Sequence, residues 1–312
     1  EAINSFIMKT IARLAVLVAA VLVSMAAAPN PRIKALIIDG QHNHNWQVTT
    51  AFLKRTLLDT GRFAVDVSTT PGEQSPQAEW GGWRPAFENY RVGVLNYNGG
   101  SWPAEVQESF TNYVSGGGGV HVIHGANNAF KGWKDYDLMI GLGGRRDKDY
   151  GNRLTFDNQG KLVRTPKGEG WQKAGHGTPH SFIVTARTPD HPIIKGLPVK
   201  WLHAKDELYH GQRGPALNMT ILNSAYDAVS MKGTGAHEPM TWVIPFGKGK
   251  VVTTVMGHHM GDSPEVPALQ CIGFQTIVAR ASEWVATGVV TVPIPSNFPT
   301  AEMISTGPDL TK

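Results

Sequence analysis

Histidines in this chain of 312 residues cluster where apolar, strand-like runs end. His42 and His44 follow the run 33–38, His124 follows 120–123, His203 and His210 flank Asp206-Glu207, and His258-His259 follow 251–255. In an open α/β sheet, ligands bind outside the carboxyl ends of the strands. Imidazoles delivered there from separate strands would form one polar site for proton transfer or metal coordination.

Carboxylates and amides sit beside these histidines. Neighbouring strand residues point to opposite faces, so one acid of Asp206-Glu207 can face a pocket while the other makes a structural bond. Glu207 is read as the pocket carboxylate and Asp206 as its partner, a further candidate for substrate contact. His203 shares a face with Glu207 if one strand carries both. The same alternation lets one of His258 and His259 face inward, and His258 is favoured. His124, Glu207 and His258 are therefore candidate catalytic residues, with a histidine of the first group, His42 or His44, beside them. Asn96, Tyr97, Trp102, Asn128 and Arg213 are candidate contacts to a hydroxyl-rich ligand, joined by His237 and Glu238 as a further imidazole–carboxylate pair.

Other chemistries are poorly served. The turn after the fourth strand reads Val122-Ile123-His124-Gly125-Ala126, with His124 where a hydrolase of the elbow type carries Ser or Cys. Covalent acyl transfer lacks its nucleophile there. Cys271, the single cysteine, lies in an apolar helical pattern and reads as a small buried hydrophobe. No Walker loop is present, and Gly141-Leu142-Gly143-Gly144 does not open a βαβ unit, so no nucleotide cofactor is expected. A divalent metal is compatible with the histidines. The net charge of +4 is mild, and the basic cluster Arg145-Arg146-Asp147-Lys148 contains its own acid. Nothing marks a nucleic-acid partner.

The elements that must position these groups follow from periodicity. Strands are expected at 33–38, 63–67, 92–95 and 120–123, with a helix at 46–59 and another from Trp102-Pro103 to Val114. Residues 71–85 read as a polar loop. This order predicts an α/β domain with an open, mostly parallel sheet and helices on both faces. Residues 141–169 are Gly-rich and charged and read as an inserted irregular region. Strands at 181–186 and 219–225, a hairpin of 240–246 with 250–255, and a helix at 267–287 closed by Gly288 follow. One domain is expected over 29–298, with a tail at 299–312 that begins as an ordered arm.

Residues 1–28 read as a short stretch ahead of Met8 followed by a secretory signal peptide: Lys9 and Arg13, the apolar run 14–23, and small residues up to Ala28. The expected location is periplasmic or secreted, with no stable membrane insertion after cleavage.

Five stretches together resemble the ThuA-like (trehalose utilisation) family. They are Asp39-Gly40-Gln41-His42-Asn43-His44-Asn45-Trp46, Asn96-Tyr97-Asn98-Gly99, Val122-Ile123-His124-Gly125-Ala126-Asn127-Asn128-Ala129-Phe130, His191-Pro192-Ile193-Ile194-Lys195-Gly196-Leu197-Pro198 and Asp206-Glu207-Leu208-Tyr209. The resemblance implies a flavodoxin-like, class I glutamine amidotransferase-like fold without the amidotransferase cysteine, and a place in carbohydrate metabolism. The family's first-motif histidine falls on His44, its turn histidine on His124 and its late Gly-His on Gly257-His258. His42 stands where many members carry Asn. The His-Pro-Ile stretch reads as structural, because Pro and Gly fix a turn there.

The resulting expectation is an enzyme acting on 3-keto-glycosides, with His124 or His44 as the base and Glu207 and His258 as partner acid or metal ligands. The rival readings are a sugar-binding protein without chemistry and a metal-dependent hydrolase of unoxidised substrates. The partner in the first two readings is a small saccharide.

Overall fold

The computed structural model describes residues 31–144, 150–170, 173–261 and 263–308. The expected signal peptide and the Arg145-Lys148 cluster lie outside the described residues.

Strand β1 (Ile33–Asp39) is buried on both faces. Ala35 and Ile37 enter one core, Leu36 and Ile38 the other. This is the signature of a parallel strand covered on both sides. Helix α1 (Trp46–Asp59) starts where the Asn45 side chain accepts the Val48 N–H at 3.2 Å. It turns Phe52, Leu53 and Leu57 onto the first core. Strand β2 (Phe63–Thr69), the short helix α2 (Gln77–Gly82), β3 (Val92–Leu95), α3 (Ala104–Ser115) and β4 (Gly119–Ile123) follow. Helix α2 occupies part of the stretch expected to be loop, starting directly after Pro76. Val106, Phe110 and Val114 of α3 cover the second core, one helical turn apart. Beyond β4 lie one turn of 3-10 helix at His124–Asn128 and helix α4 (Lys134–Ile140).

The region expected to be irregular forms a hairpin, β5 (Arg153–Phe156) with β6 (Leu162–Thr165). Strands β7 (Gly175–His176), β8 (His180–Ala186), β9 (Lys200–Asp206), β10 (Tyr209–His210), β11 (Thr220–Tyr226), β12 (His237–Phe246) and β13 (Gly249–Thr254) complete the strands. The main sheet runs β2-β1-β3-β4-β13-β12-β11-β8-β9. Its first five strands are parallel, the open α/β sheet expected from sequence. The remaining neighbours pair antiparallel and extend it.

The C-terminal helical stretch is divided. Helix α5 (Pro267–Gln270) stops at Cys271, and α6 (Ile272–Thr287) continues to Gly288, whose φ of 81° ends the helix. The break has a partner: residues 305–307 run alongside it, with the Ile272 N–H on Ser305 O and the Gly307 N–H on Gln270 O. The arm beyond residue 298 is thus tied to the domain as far as it is described.

Candidate active site

Three parallel strands end at one place. The loop after β1 carries His42 and His44, the turn after β4 carries His124, and the segment after β13 carries His258. Asp39, at the tip of β1, accepts hydrogen bonds from Thr50 and Thr69, each at 2.7 Å. The Asn96 amide donates to Thr50 Oγ1 and to Trp46 O. Burial raises the Asp39 pKa, against the pull of the two threonine hydrogen bonds. This network sets the exit direction of the loop, so Asn96 supports the site from behind.

His124 sits at φ 43°, a left-handed conformation that is costly for a residue with a side chain. It occupies the tight turn after β4, the place where an elbow-type hydrolase carries its nucleophile. Its Nδ1 donates to Val255 O at 2.7 Å, which leaves Nε2 as the nitrogen with the lone pair. The Tyr209 hydroxyl lies 3.1 Å from that Nε2 and Glu207 Oε2 lies 3.7 Å from it. The His44 ring is 4.9 Å from those of His124 and His258, centroid to centroid. His42 Nδ1 takes the backbone N–H of His44 at 3.0 Å and stands 3.1 Å from His44 Nδ1. Glu207 Oε1 is 3.3 Å from His258 Nε2 and 3.1 Å from His176 Nε2.

Two of the imidazoles, His124 and His258, are biased toward the neutral form. Burial pushes the His124 pKa well below the ordinary histidine value, and the neighbouring His44 and His258 push it the same way. Burial also lowers His258, against the attraction of Asp206. Neutral imidazole is the form that accepts a proton or binds a metal. One donor atom from each of His44, His124 and Glu207 lies within 4.8 Å of the others, and all three residues are buried. Two histidines and a carboxylate suit a divalent ion such as Zn²⁺ or Mn²⁺. The Val255 carbonyl holding His124 Nδ1–H is the outer-shell contact that such a ligand needs.

Asp206 acts differently from Glu207. Its two oxygens accept the backbone N–H groups of Glu207, Gly257 and His258, and Oδ2 lies 2.7 Å from His203 Nε2. It is a buried clamp that fixes two site residues by their backbone. Substrate contact is not available to a carboxylate so engaged. Strand β9 ends at Asp206, so His203 does not share a strand face with Glu207; it braces the clamp instead. Burial opposes protonation of His203, but Cys271 and Asp206 outweigh it and raise its pKa to about 10.

A cleft of about 200 Å³ opens over this cluster, lined among others by Asn43, His44, Asn128, His176, Glu207 and Met260. The structure thus unites His44, His124, Glu207, His258 and Asn128. It sends the other sugar-contact candidates elsewhere. Tyr97 and Trp102 are buried in the second core, packed on Phe130. Arg213 is fully buried and donates to the carbonyls of Gly151, Pro166 and Glu169, tethering the inserted hairpin. Glu238 pairs with Arg153 and accepts from Thr234. His237 lines a separate cleft. Large aromatic and charged residues near strand ends were attractive as ligand contacts, but the tight helix–sheet packing and the insertion consume them. Sequence reasoning missed His176. Its signal was the stretch Ala174-Gly175-His176-Gly177, and what delivers it is the pairing of β7 with β10, where His176 stands opposite Tyr209.

The ThuA family, described as trehalose utilisation, matches residues 34–285. A crystal structure of a ThuA-like protein from Parabacteroides merdae is 39% identical, covers 90% of this chain and 99% of its own, and superposes with a TM-score of 0.84. A ThuA-like protein from Bacteroides uniformis is 19% identical, with coverages of 91% and 98% and a TM-score of 0.52, a likeness of fold. No curated protein matches the chain. The chain belongs to the ThuA family, whose description places it in carbohydrate utilisation.

Proposed function

We propose that this ThuA family member is an exported enzyme that abstracts a proton next to the ketone of a 3-keto-glycoside. The observation that supports it is the convergence of His44, His124, His258 and Glu207, with two imidazoles held toward neutrality, beside a cleft sized for one sugar ring whose wall His44 and Glu207 form. A ketone at C3 acidifies the hydrogen on C2. Removing that proton gives an enolate, and its collapse expels the aglycone from C1 with the bonding electron pair. The leaving oxygen takes up a proton, and water added across the resulting double bond completes a net hydrolysis. Protonating the enolate at another carbon instead gives an isomerised keto-sugar.

His44, His124 and Glu207 are the residues that would hold a divalent ion, which supplies electrophilic stabilisation of an enolate oxygen. With these three so engaged, base duty shifts from His124 or His44 to His258, whose ring borders all three. Tyr209 orients His124 through its hydroxyl. Asn43 and Asn128, on the cleft wall, offer amides to sugar hydroxyls.

The test is product analysis by mass spectrometry after mixing the protein, with and without chelator, with 3-keto-trehalose and a 3-keto-β-glucoside. Cleaved or isomerised sugar is expected, with loss of turnover in chelator. No product from either substrate, with Zn²⁺ or Mn²⁺ supplied, overturns the reading; sugar binding without turnover then marks a binding protein. Export is supported by the sequence of residues 8–28 and is tested by finding a mature amino terminus near Pro29 outside the cytoplasm.

A further inference from the structure

The antiparallel half of the sheet carries a second cleft that shares no residue with the histidine site. Its volume is about 520 Å³, a size typical of small-molecule sites. Four adjacent strands build its floor. Lys200 of β9 stands opposite Thr185 of β8, and Tyr226 of β11 stands opposite His237 of β12. The tip of the β5–β6 hairpin, residues 158–160, forms a wall.

Its chemistry is specific. The Arg187 guanidinium is fixed on two sides: Nε donates to Ser224 Oγ at 2.7 Å, and Cζ lies 4.4 Å from the centre of the Phe156 ring. A methyl group at Gly160 would lie 3.0 Å from its Nη1, so the hairpin tip closes directly on the cation. Lys200 supplies a second positive charge. The nearest acid, Asp157, spends its Oδ1 on the backbone N–H groups of Gln159 and Lys161. Its charge still acts on Arg187 and His237, so two cations face one carboxylate and the balance at the cleft is positive. Burial lowers the His237 pKa, and the charges of Arg187 and Lys200 lower it further, with Asp157 opposing. His237 Nδ1 is a buried atom with no hydrogen-bond partner among the described residues. Around these charges stand the amides of Asn158 and Gln159, the Thr185 hydroxyl and the Tyr226 ring, which is 42% exposed.

Cations alone would accept any small anion. Amides and a hydroxyl beside an exposed aromatic ring match a sugar, whose hydroxyls seek hydrogen bonds and whose C–H face packs on a ring. We infer that this cleft is a second binding site, for a saccharide that carries an anionic group, either a uronate carboxylate or a sugar phosphate. Arg187 and Lys200 take the anion, the preorganised guanidinium losing little freedom on binding. Tyr226 supports the ring, and Asn158, Gln159 and Thr185 read its hydroxyls.

The test is calorimetric titration with glucuronate, glucose 6-phosphate, glucose and inorganic phosphate, in the protein and in its His44→Ala variant. Glucuronate or glucose 6-phosphate should bind equally to both proteins, and their ratio identifies the anion. Glucose and inorganic phosphate should each bind at least about tenfold more weakly. Lys200→Gln, an exposed change that leaves the core untouched, should weaken binding about tenfold, as should Arg187→Gln. Tyr226→Ala should weaken the sugar while sparing inorganic phosphate. Failure of both anionic sugars to bind overturns the proposal. Equal affinity for inorganic phosphate, full retention in Lys200→Gln and Arg187→Gln, or loss in His44→Ala overturns it as well.

Discussion

The Nδ1 of His124 is fastened to the carbonyl of Val255 at 2.7 Å, across the junction of β4 and β13, while its backbone is held at φ 43°. One hydrogen bond thus fixes both the tautomer and the direction of the ring, and the strained turn presents Nε2 to the cluster. Asn tolerates the left-handed region better than most residues but has no equivalent of Nε2. His124→Asn should therefore keep the thermal midpoint within a few degrees and lower turnover of the keto-glycoside by about a hundredfold or more, because Nε2 is the atom that would hold the ion. Retained turnover would remove His124 from the site.

Glu207 supplies the charge that would favour a cation in the cluster. Glu207→Gln preserves shape and removes that charge. Titration of the protein with Mn²⁺ or Zn²⁺ should give one equivalent of tight binding, weakened by about tenfold or more in Glu207→Gln. His44→Ala should weaken it comparably, because the donor atoms of both belong to one group. Tight binding unchanged in both variants would place the ion elsewhere.

Asp206 is the clamp beneath these ligands, gathering three backbone N–H groups and His203. Asp206→Asn removes the charge from a fully buried pair and turns donors toward donors. A destabilisation of about 3–5 kcal/mol is expected from breaking such a pair. The check is chemical denaturation. A change under about 1 kcal/mol would be that of an exposed ion pair and would contradict the clamp.

How far the sequence reveals this arrangement depends on the range of the interactions involved. Local patterns were legible: the apolar run of β1, the apolar spacing of α1 from Trp46, the Gly288 stop of α6 and the hairpin around Gly247-Lys248-Gly249 are each written within a few residues. The rule that ligands gather at strand carboxyl ends was enough to nominate His124 and His258, and the family resemblance chose His44 over His42. Long-range packing was not legible. Whether Trp102 or Arg213 meets a ligand or a core depends on partners far away in sequence, Phe130 for one and the carbonyls of the inserted hairpin for the other. His176 was hidden for the same reason, since only the β7–β10 pairing brings it to Glu207.

Acid should unfold the protein through its neutral buried histidines. His121, on β4, is fully buried between Ser282 Oγ and Thr254 Oγ1, and burial lowers its pKa to about 3. The unfolded chain takes up a proton near pH 6.5, whereas the folded chain resists until about pH 3. Stability from this group is therefore complete above pH 6.5 and falls by up to about 1.4 kcal/mol per pH unit as acid is added across that window. His124 and His258 are lowered too and act in the same sense. His121→Gln can keep hydrogen bonds to both hydroxyls and has no proton to gain. Thermal midpoints measured at pH 7, 5.5 and 4.5 should fall less steeply in His121→Gln than in the parent; parallel curves would assign the acid sensitivity to other groups.

Gly125, directly after the His124 turn, tests whether the precise spacing of the imidazoles matters. A Cβ placed there would lie 2.6 Å from His42 Cε1 and 3.1 Å from His44 Nδ1. The first distance is well inside van der Waals contact, so the His42 ring must move, and with it the nitrogen that receives the His44 backbone N–H. No main-chain atom is among the nearest contacts, so the strain falls on side chains of the site and the core is spared. Gly125→Ala should thus cost little in thermal stability while reducing turnover by about tenfold or more through misplacement of His44. Replacing His42 by Ala in the same chain removes the obstructing ring. If crowding is the cause, the double variant recovers activity relative to Gly125→Ala alone. If the two losses simply add, His42 contributes directly to the chemistry and the methyl group acts through another path.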